Sequence, residues 1–257
     1  MRVSQFSTIF KKMIHLGRRR FCPACGAHTR RFGSYGVLAR PDARCLVCNS
    51  SERERAQCLL IERRLGPLFA GRDRVRTLHI APEAGIERRL RAVAGDGYTS
   101  GDIEAGRAML QVDLTQLQFQ DASLDLLFVS HVLEHIEDDA KAISEMLRVL
   151  VPGGVALIEV PVLRQRTLED FSIRDPKSRA LAFGQEDHVR VCGLDYEARL
   201  SAQGFEVQSL SVSKEFAATE IQRSRLLVEL PASLEAQLPP WYEGNFDVTW
   251  LCTKLAT

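Results

Sequence analysis

Short apolar runs alternate with segments of helical periodicity from about residue 75 to the end of the chain. A strand that is buried on both faces reads as a continuous apolar run, so these runs predict the strands of a largely parallel sheet. Amphipathic segments at 52–65, 83–94 and 138–150 predict helices. The predicted strands are 75–80, 98–102, 109–112, 124–130, 155–160, 204–210 and 246–253. This alternation predicts an α/β fold with a seven-stranded, mostly parallel sheet and helices on both faces.

The first 20 residues combine apolar side chains at helical spacing with a high density of positive charge. The apolar positions are Phe6, Ile9, Phe10, Met13 and Ile14. Lys11 and Lys12 lie between them, and three arginines follow at 18–20. The pattern predicts a short basic amphipathic helix. We expect it to pack on its own protein, with an anionic membrane surface or an anionic polymer such as RNA as the alternatives.

Four of the seven cysteines form two Cys-x-x-Cys pairs with nineteen residues between them. The pairs are Cys22 with Cys25 and Cys45 with Cys48. Two such turns supply the tetrahedral thiolate set that Zn²⁺ prefers, and this spacing is typical of zinc ribbons. Because four cysteines leave no open position for water, the predicted Zn²⁺ is structural. Ser51 and Glu54 form a capping-box pattern at the next helix, so the ribbon is placed at 21–50 and the larger domain at 51–257.

The composition is that of an ordinary globular protein, with 45% hydrophobic and 26% charged residues. The net charge of +1 conceals an asymmetry, because residues 1–64 hold 14 Lys/Arg and 4 Asp/Glu whereas the rest holds 20 and 29. The basic part predicts contact with nucleic acid, anionic lipid or acidic glycan, or docking on the acidic domain. No apolar run approaches the roughly 20 residues that cross a bilayer, so we predict a cytoplasmic protein, at most peripheral at the inner membrane.

Three stretches of the larger domain carry a family pattern. They read Phe-Gln-Asp-Ala-Ser-Leu-Asp-Leu-Leu-Phe at 119–128, Phe-Val-Ser-His-Val-Leu-Glu-His-Ile at 128–136 and Arg-Val-Leu-Val-Pro-Gly-Gly at 148–154. Through them the chain, from about residue 52 to its C-terminus, resembles the class I S-adenosylmethionine-dependent methyltransferases of the methyltransferase type 11 kind. The resemblance implies a Rossmann-like fold with an antiparallel last strand, S-adenosyl-L-methionine as cofactor, and methyl transfer as the reaction.

Acidic and polar residues follow several of the predicted strands, at the edge of the sheet where ligands of this topology bind. Asp102 ends the second strand, where a carboxylate accepts hydrogen bonds from ribose hydroxyls. The resemblance gives Asp113 and Leu114 to the adenine pocket. Ser130 and His131 follow the fourth strand and lie at the same edge, so we expect them to contact the cofactor as well.

The loop after the first strand departs from the pattern of the superfamily, which has an acidic residue and three glycines there. The corresponding residues, all predicted to line the cofactor, are His79, Ala81, Pro82, Glu83 and Gly85. A lone Gly85 allows one close backbone approach to a ligand, and Glu83 can supply the missing acid for the cationic end of the cofactor. The loop also lacks Gly-x-Gly-x-x-Gly, which excludes a dinucleotide whose diphosphate needs bare backbone.

The segment 164–190 is too long for a simple connection and predicts a lid beside the ligand edge. We expect His188 to act as a general base, with Asp187 orienting it and Arg190 binding an anionic group of the substrate. His131 is a second catalytic candidate, through contact with the cofactor or the substrate, whereas His135 is expected to be structural. The alternative for the whole segment is a solvated, salt-bridged loop.

These features predict an enzyme that methylates a hydroxyl or amine of a small-molecule or glycan acceptor. One alternative is an RNA methyltransferase of the ribosomal-RNA type, because such enzymes combine a zinc ribbon with this fold and a basic module suits phosphate contacts. A second alternative, suggested by the atypical first loop, is an inactive zinc-binding adaptor. The sequence identifies neither the acceptor atom nor the oligomeric state.

Overall fold

The computed structural model describes residues 2–36, 39–227, 233 and 237–256, with side chains from residue 9 onward. The side chain of Phe6 therefore lies outside the described residues. The helices are α1 (Arg2–His15), α2 (Glu52–Leu60), α3 (Gly66–Leu68), α4 (Ala84–Ala94), α5 (Asp139–Val149), α6 (Pro176–Phe183), α7 (Tyr196–Ala202), α8 (Val212–Glu215) and α9 (Ala218–Ser224). A π-helical segment, Ile61–Leu65, continues α2, and a 3₁₀ turn spans Leu133–His135.

The strands fall into a small N-terminal set and a larger set that begins at residue 77. The first set is β1 (Leu16–Cys22), β2 (Ala27–Thr29), β3 (Gly33–Tyr35) and β4 (Arg40–Arg44). The second set is β5 (Thr77–Ile80), β6 (Tyr98–Asp102), β7 (Leu110–Gln111), β8 (Leu124–Ser130), β9 (Leu150–Glu159), β10 (Val162–Arg164), β11 (Leu168–Glu169), β12 (Arg190–Gly193), β13 (Phe205–Leu210) and β14 (Thr249–Lys254).

The chain divides into two compact units. The first comprises Met1–Gly71, Glu83–Val93 and Val212–Leu238, and the second comprises Arg72–Pro82, Ala94–Ser211 and Pro239–Thr257. The first unit thus groups α2, α4 and α9 with the cysteine-rich segment. The domain boundary at residues 50 and 51 stays a prediction.

The second unit is built on a seven-stranded sheet in the order β13-β14-β9-β8-β5-β6-β7. Its neighbours pair in parallel, except that β14 is antiparallel to both β13 and β9. Every residue of β5 and β8 is buried, as expected of central strands covered on both faces. Ile143 and Met146 of α5 and Leu200 of α7 belong to the same hydrophobic core. The predicted Rossmann-like α/β class is confirmed.

The sheet has its topological switch point at β5, which lies between β6 and β8. The chain runs outward from β5 to β6 and β7, and then returns to the other side of β5 as β8. Ligands of open α/β sheets bind at the carboxyl ends of the strands that flank such a point. We therefore expect the cofactor to bind beside the residues that follow β5, β6 and β8.

The predicted strands agree with the observed ones except at some ends. Strand β9 begins at Leu150 and not at 155, because the Pro-Gly-Gly turn lies within it, with Gly153 at φ +76°. Strand β14 begins at Thr249 and not at 246. Helix α5 begins where expected, since the Asp138 side chain accepts a hydrogen bond from the Lys141 amide.

The first unit contains two short antiparallel strand pairs, β1 with β2 and β3 with β4, followed by α2. The predicted capping box is confirmed: the Ser51 side chain accepts from the Glu54 amide, and the Glu54 side chain accepts from the Ser51 amide. The predicted N-terminal helix is present as α1. Packing of its apolar face on the protein itself is not what the structure shows, because Ile9, Phe10, Met13 and Ile14 are each more than half exposed. No helix among the described residues is long and apolar enough to span a membrane.

Candidate cofactor and metal sites

The two Cys-x-x-Cys pairs meet in the first unit. The sulfurs of Cys22, Cys25, Cys45 and Cys48 all lie within 4.8 Å of one another. Cys22 Sγ is 3.6 Å from Cys48 Sγ, and Cys25 Sγ is 3.9 Å from Cys45 Sγ. After the second cysteine of each pair the chain turns through a left-handed residue, Gly26 or Asn49. Four converging thiol sulfurs are the donor set that a structural Zn²⁺ takes, so the residues fit the predicted ion.

The chain leaves β5 and β8 through residues with unusual backbone. Ala81, directly after β5, has φ +49°, and His131, directly after β8, has φ +54°. Their amides are held by neighbouring strand ends: Ala81 N donates to Gly101 O and His131 N donates to Glu159 O, each at 2.9 Å. Non-glycine residues in this region are strained, and such strain concentrates at ligand sites. Both residues were among the predicted cofactor contacts, although nothing in the sequence signals their conformation.

His79 is placed differently from the prediction. Its side chain is buried within β5, its Nδ1 lies 3.0 Å from the hydroxyl of Tyr98, and its ring packs edge-on against Phe128. Burial lowers the pKa of His79 to about 3, so the ring is neutral. The predicted role of its side chain as a cofactor contact is corrected to a role inside the sheet, because the ring is buried against side chains of the two neighbouring strands, Tyr98 of β6 and Phe128 of β8.

Glu83 and Gly85 belong to the first unit, and both face residues of that unit. Glu83 forms a paired contact with Arg53, with distances of 2.5 and 3.0 Å between oxygens and guanidinium nitrogens. A Cβ on Gly85 would lie 3.3 Å from Cβ of Ala24, which sits between the first two cysteines. The close approach that Gly85 permits is therefore to the cysteine-rich segment, which corrects the interpretation that its bare backbone serves the ligand.

The two aspartates predicted to hold the nucleoside lie at the expected strand ends. Asp102 closes β6, is 9% exposed, and accepts a hydrogen bond from the Glu104 amide at Oδ1 (2.9 Å). Asp113 follows β7, is exposed, and accepts from the amide and hydroxyl of Thr115 at Oδ1. Leu114 is buried beside it. These contacts fix the orientation of both carboxylates at the sheet edge. Pro82 is half-buried in the preceding loop.

The turn after β8 gathers polar groups at the centre of the sheet edge. Ser130 Oγ donates to Glu159 Oε2 at 2.9 Å, which links the ends of β8 and β9. His131 Nδ1 lies 3.1 Å from Oε1 of Glu134, whose side chain is almost fully buried while His131 is about one-third exposed. Burial alone would raise the pKa of Glu134, but the His131 and His135 side chains hold it below its ordinary value. Glu134 and Glu159 were not among the predicted site residues.

His188 and Asp187 are near the β8 turn, but not in the predicted pairing. Asp187 is largely exposed, and its Oδ2 lies 3.3 Å from Nδ1 of His135. His188 is buried and packs edge-on against the His135 ring with centroids 4.7 Å apart. Burial lowers the pKa of His188. The interpretation that Asp187 orients His188 is corrected: Asp187 contacts His135, which was expected to be structural.

Arg190 is a buried positioning residue and not the predicted substrate ligand. Its side chain is inaccessible to solvent, and Nη1 donates to the carbonyl oxygens of Leu133 (2.7 Å) and Ile136 (2.5 Å). Nη2 donates to Glu137 O at 3.0 Å, and Nε donates to Glu169 Oε2 at 3.0 Å. Every guanidinium nitrogen is thus engaged within the protein. Arg190 holds the turn that carries Glu134 and His135.

Comparison with known proteins identifies the family. The family model described as "Methyltransferase domain" matches residues 86–158. A probable S-adenosylmethionine-dependent methyltransferase of Mycolicibacterium smegmatis is 35% identical over 178 residues, covering 65% of this chain and 68% of that protein. A demethylmenaquinone methyltransferase of Clavibacter sepedonicus is 31% identical over 121 residues, covering 35% of this chain and 49% of that one.

Solved structures agree in fold. An S-adenosylmethionine-dependent methyltransferase from Mesorhizobium loti superposes with a TM-score of 0.50 at 16% identity, over 76% of this chain and 98% of that chain. The CurJ carbon methyltransferase superposes with a TM-score of 0.52 at 14% identity, over 81% and 56%. The length and identity of the mycolicibacterial match, together with the sheet order and its switch point, confirm the resemblance seen in the sequence and the prediction of an enzyme. The chain belongs to the S-adenosylmethionine-dependent methyltransferases.

Proposed function

We propose that this methyltransferase acts on a hydroxyl or amine of a small-molecule or glycan acceptor, with His131 as the general base. The observation that carries the proposal is the 3.1 Å contact between His131 Nδ1 and the buried Glu134 carboxylate, directly after the central strand β8. A carboxylate at Nδ1 fixes the proton there and leaves the lone pair of Nε2 for a proton acceptor role. The partial exposure of His131 makes that nitrogen available to an acceptor.

S-adenosyl-L-methionine supplies an already activated methyl carbon, so the chain has to bind it, align the acceptor and remove a proton. In the proposed site Asp102 accepts hydrogen bonds from the ribose hydroxyls, and Asp113 with Leu114 holds the adenine. The strained turn at Ala81 and Pro82 and the polar group of Ser130 border the remainder of the cofactor.

The arginines of the first unit favour a small acceptor over RNA. Binding to RNA needs basic side chains that are free to contact phosphates. Five of the 14 basic side chains of residues 1–64 are instead engaged by ion pairs within the unit, and Arg55 is buried. The pairs are Arg20 with Asp42, Arg40 with Glu52, Arg53 with Glu83, Arg63 with Glu220 and Arg64 with Glu215.

The exposed face of α1 supports an acceptor at an anionic membrane surface. Ile9, Phe10, Met13 and Ile14 are exposed, and Lys12 lies among them. An apolar face flanked by basic side chains binds the interface of an anionic bilayer. The proposed enzyme also binds a structural Zn²⁺ through its four clustered cysteines.

Calorimetric titration with S-adenosylmethionine and S-adenosylhomocysteine tests the cofactor site. Asp102→Asn removes charge-assisted hydrogen bonds to the ribose, which are worth about 1.5–3 kcal/mol each, and should weaken binding by about tenfold or more. Asp96→Asn, an exposed acid before the same strand, is the matched control and should bind as the wild type does. A folded, zinc-loaded wild type that binds neither nucleoside would favour the adaptor alternative.

Transfer of a labelled methyl group identifies the class of acceptor. The protein is incubated with labelled cofactor and a cell extract, which is then separated into lipid, glycan, small-molecule and RNA fractions. We expect label in one of the first three fractions, and we expect His131→Asn to lose it while His28→Asn does not. Label confined to RNA would overturn the proposed acceptor class and support the RNA alternative.

A further inference from the structure

A second cluster of metal-ligand side chains lies in the second unit, apart from the four cysteines. It consists of Glu134 and His135 in the turn after β8 and His188 just before β12. One ligand atom from each residue lies within 4.8 Å of those from the other two. Glu134 and His188 are buried, and His135 is half-buried.

One oxygen of the Glu134 carboxylate contacts a histidine, and the other is available to bind a ligand. Oε1 is 3.1 Å from His131 Nδ1. Oε2 is buried and has no hydrogen-bond partner within the described part of the chain. A buried carboxylate oxygen is strongly destabilising unless a donor or a cation satisfies it. The two imidazoles of the cluster lie close enough to the carboxylate to hold such a cation together with it.

Each histidine of the cluster has an outer partner for one ring nitrogen. His135 Nδ1 lies 3.3 Å from both the backbone oxygen and the Oδ2 of Asp187. His188 forms a hydrogen bond with the backbone of Phe183. Metal-binding histidines are commonly oriented in this way, with one N–H given to a carboxylate or a carbonyl and the other nitrogen left as a lone-pair donor to the ion.

Hydrogen bonds from neighbouring residues hold the backbone of the two segments that carry these three side chains. Arg190, two residues after His188, donates to the carbonyl oxygens of Leu133, Ile136 and Glu137 on either side of Glu134 and His135. The amide of Val189 also donates to Glu134 O at 3.0 Å. The two segments of the cluster are therefore tied to each other by hydrogen bonds that do not involve the ligand atoms. Such preorganisation is what a metal site requires.

We propose that Glu134, His135 and His188 bind a divalent transition-metal ion of the Zn²⁺ or Fe²⁺ type. Two imidazoles and one carboxylate form the donor set of catalytic zinc sites and of non-haem iron sites. His131, Asp187 and Phe183 act as the outer partners that orient the three ligands. Three protein ligands leave coordination positions open, which an oxygen of the acceptor can occupy at the edge where the proposed methyl transfer takes place.

Metal binding is measured on the full chain after its cysteine site has been filled with one equivalent of Zn²⁺. Co²⁺ is then added and followed by absorption and by calorimetry. We expect a second equivalent to bind with weak visible d–d bands and without the sulfur-to-cobalt charge transfer that a cysteine site gives. Co²⁺ can replace Zn²⁺ in nitrogen- and oxygen-ligand sites, so the spectrum identifies which site is occupied.

Glu134→Gln and His188→Ala test the ligands, and His28→Ala, an exposed histidine of the first unit, is the matched control. Each ligand variant should weaken binding of the second ion by at least tenfold while the control binds as the wild type does. Circular dichroism and the retained first zinc equivalent report whether a variant is folded. If either ligand variant fails to fold, His135→Gln, which alters the half-buried ligand, takes its place. A wild type that binds one ion in total, or folded ligand variants that still bind two, would overturn the proposal.

Discussion

The guanidinium of Arg55 lies 4.3 Å from the centroid of the Phe32 ring, and both side chains are buried in the first unit. Its nitrogens donate to four carbonyl oxygens at 2.7–2.8 Å, from both the cysteine-rich segment and the end of α9. These acceptors are Ala43, Ser50, Ser224 and Arg225. Burial lowers the pKa of Arg55, although the neighbouring cysteines act in the opposite direction. Arg55 therefore joins the cysteine-rich segment to the end of α9, which lies 170 residues after Arg55 in the sequence.

Replacing Arg55 with methionine should strongly destabilise the first unit. The apolar side chain fills similar space but removes a donor from four carbonyl oxygens. Ser50 O keeps the Cys45 amide as a donor, and each group left unsatisfied costs about 1–3 kcal/mol. We expect the free energy of unfolding to fall by about 3 kcal/mol or more, measured by denaturant titration of the zinc-loaded protein. Arg44→Met, at an exposed position of β4, should change stability little. Equal stability of the two variants would contradict the assigned role of Arg55.

The sequence predicted the sheet and the cysteine cluster well because both depend on local patterns. Apolar runs mark strands wherever both faces are buried, and Cys-x-x-Cys spacing determines which sulfurs share a turn. The roles of His79, Asp187 and Arg190 were predicted less well, because they depend on partners far away in sequence. Arg190, for example, meets carbonyl groups more than 50 residues earlier. The sequence of a long loop does not show whether a polar residue in it binds a ligand or forms hydrogen bonds to a turn elsewhere in the protein.

Replacing Arg190 with lysine tests whether Arg190 stabilises the turn after β8 or binds the substrate. A single ammonium group cannot reach the three carbonyl oxygens and the Glu169 carboxylate that the planar guanidinium engages. We expect the free energy of unfolding to fall by about 2 kcal/mol or more. Arg174→Lys, an exposed arginine of the preceding segment, is the control and should be neutral. An Arg190→Lys protein of unchanged stability that binds acceptor poorly would restore the original prediction.

The neutral His79 makes stability depend on pH. Its pKa in the folded protein is about 3, below the value of 6.5 for a free histidine, so below pH 6.5 the unfolded chain takes up a proton that the folded chain does not. Its contribution is therefore constant above pH 6.5 and is lost as the pH falls toward 3. The loss is at most about 1.4 kcal/mol per pH unit.

Urea titrations at pH 7 and pH 5 measure this effect. The wild type should lose more stability between the two values than His79→Gln, which keeps a polar side chain near Tyr98 but does not titrate. The difference between the two proteins should be about 2 kcal/mol or less. His28→Gln, at an exposed position, should show the same pH dependence as the wild type. An identical loss in the wild type and His79→Gln would mean that His79 is protonated in the fold.

Zinc binding and cofactor binding should be coupled through α4. Arg88 Nη1 donates to Ala24 O at 2.9 Å, Arg89 Nη2 donates to Pro23 O at 2.5 Å, and Gly85 lies against Ala24. The residues between Cys22 and Cys25 therefore hold the start of the helix that follows the first cofactor loop. If the cysteine turn loosens, these contacts are lost and the loop loses its support.

Two treatments test the coupling. Removing zinc with a chelator, or replacing Cys25 with serine, should weaken binding of S-adenosylhomocysteine by several-fold. Gly85→Val should act in the same direction with zinc still bound, because a branched side chain cannot fit where a Cβ alone would lie 3.3 Å from Ala24. Gly66→Ala, at a helical position of the first unit where a Cβ would lie 3.8 Å from the nearest atom, controls for the loss of a glycine and should bind normally. Zinc-free protein that remains folded and binds the nucleoside as tightly as the zinc-loaded form would show that the metal supports only its own segment.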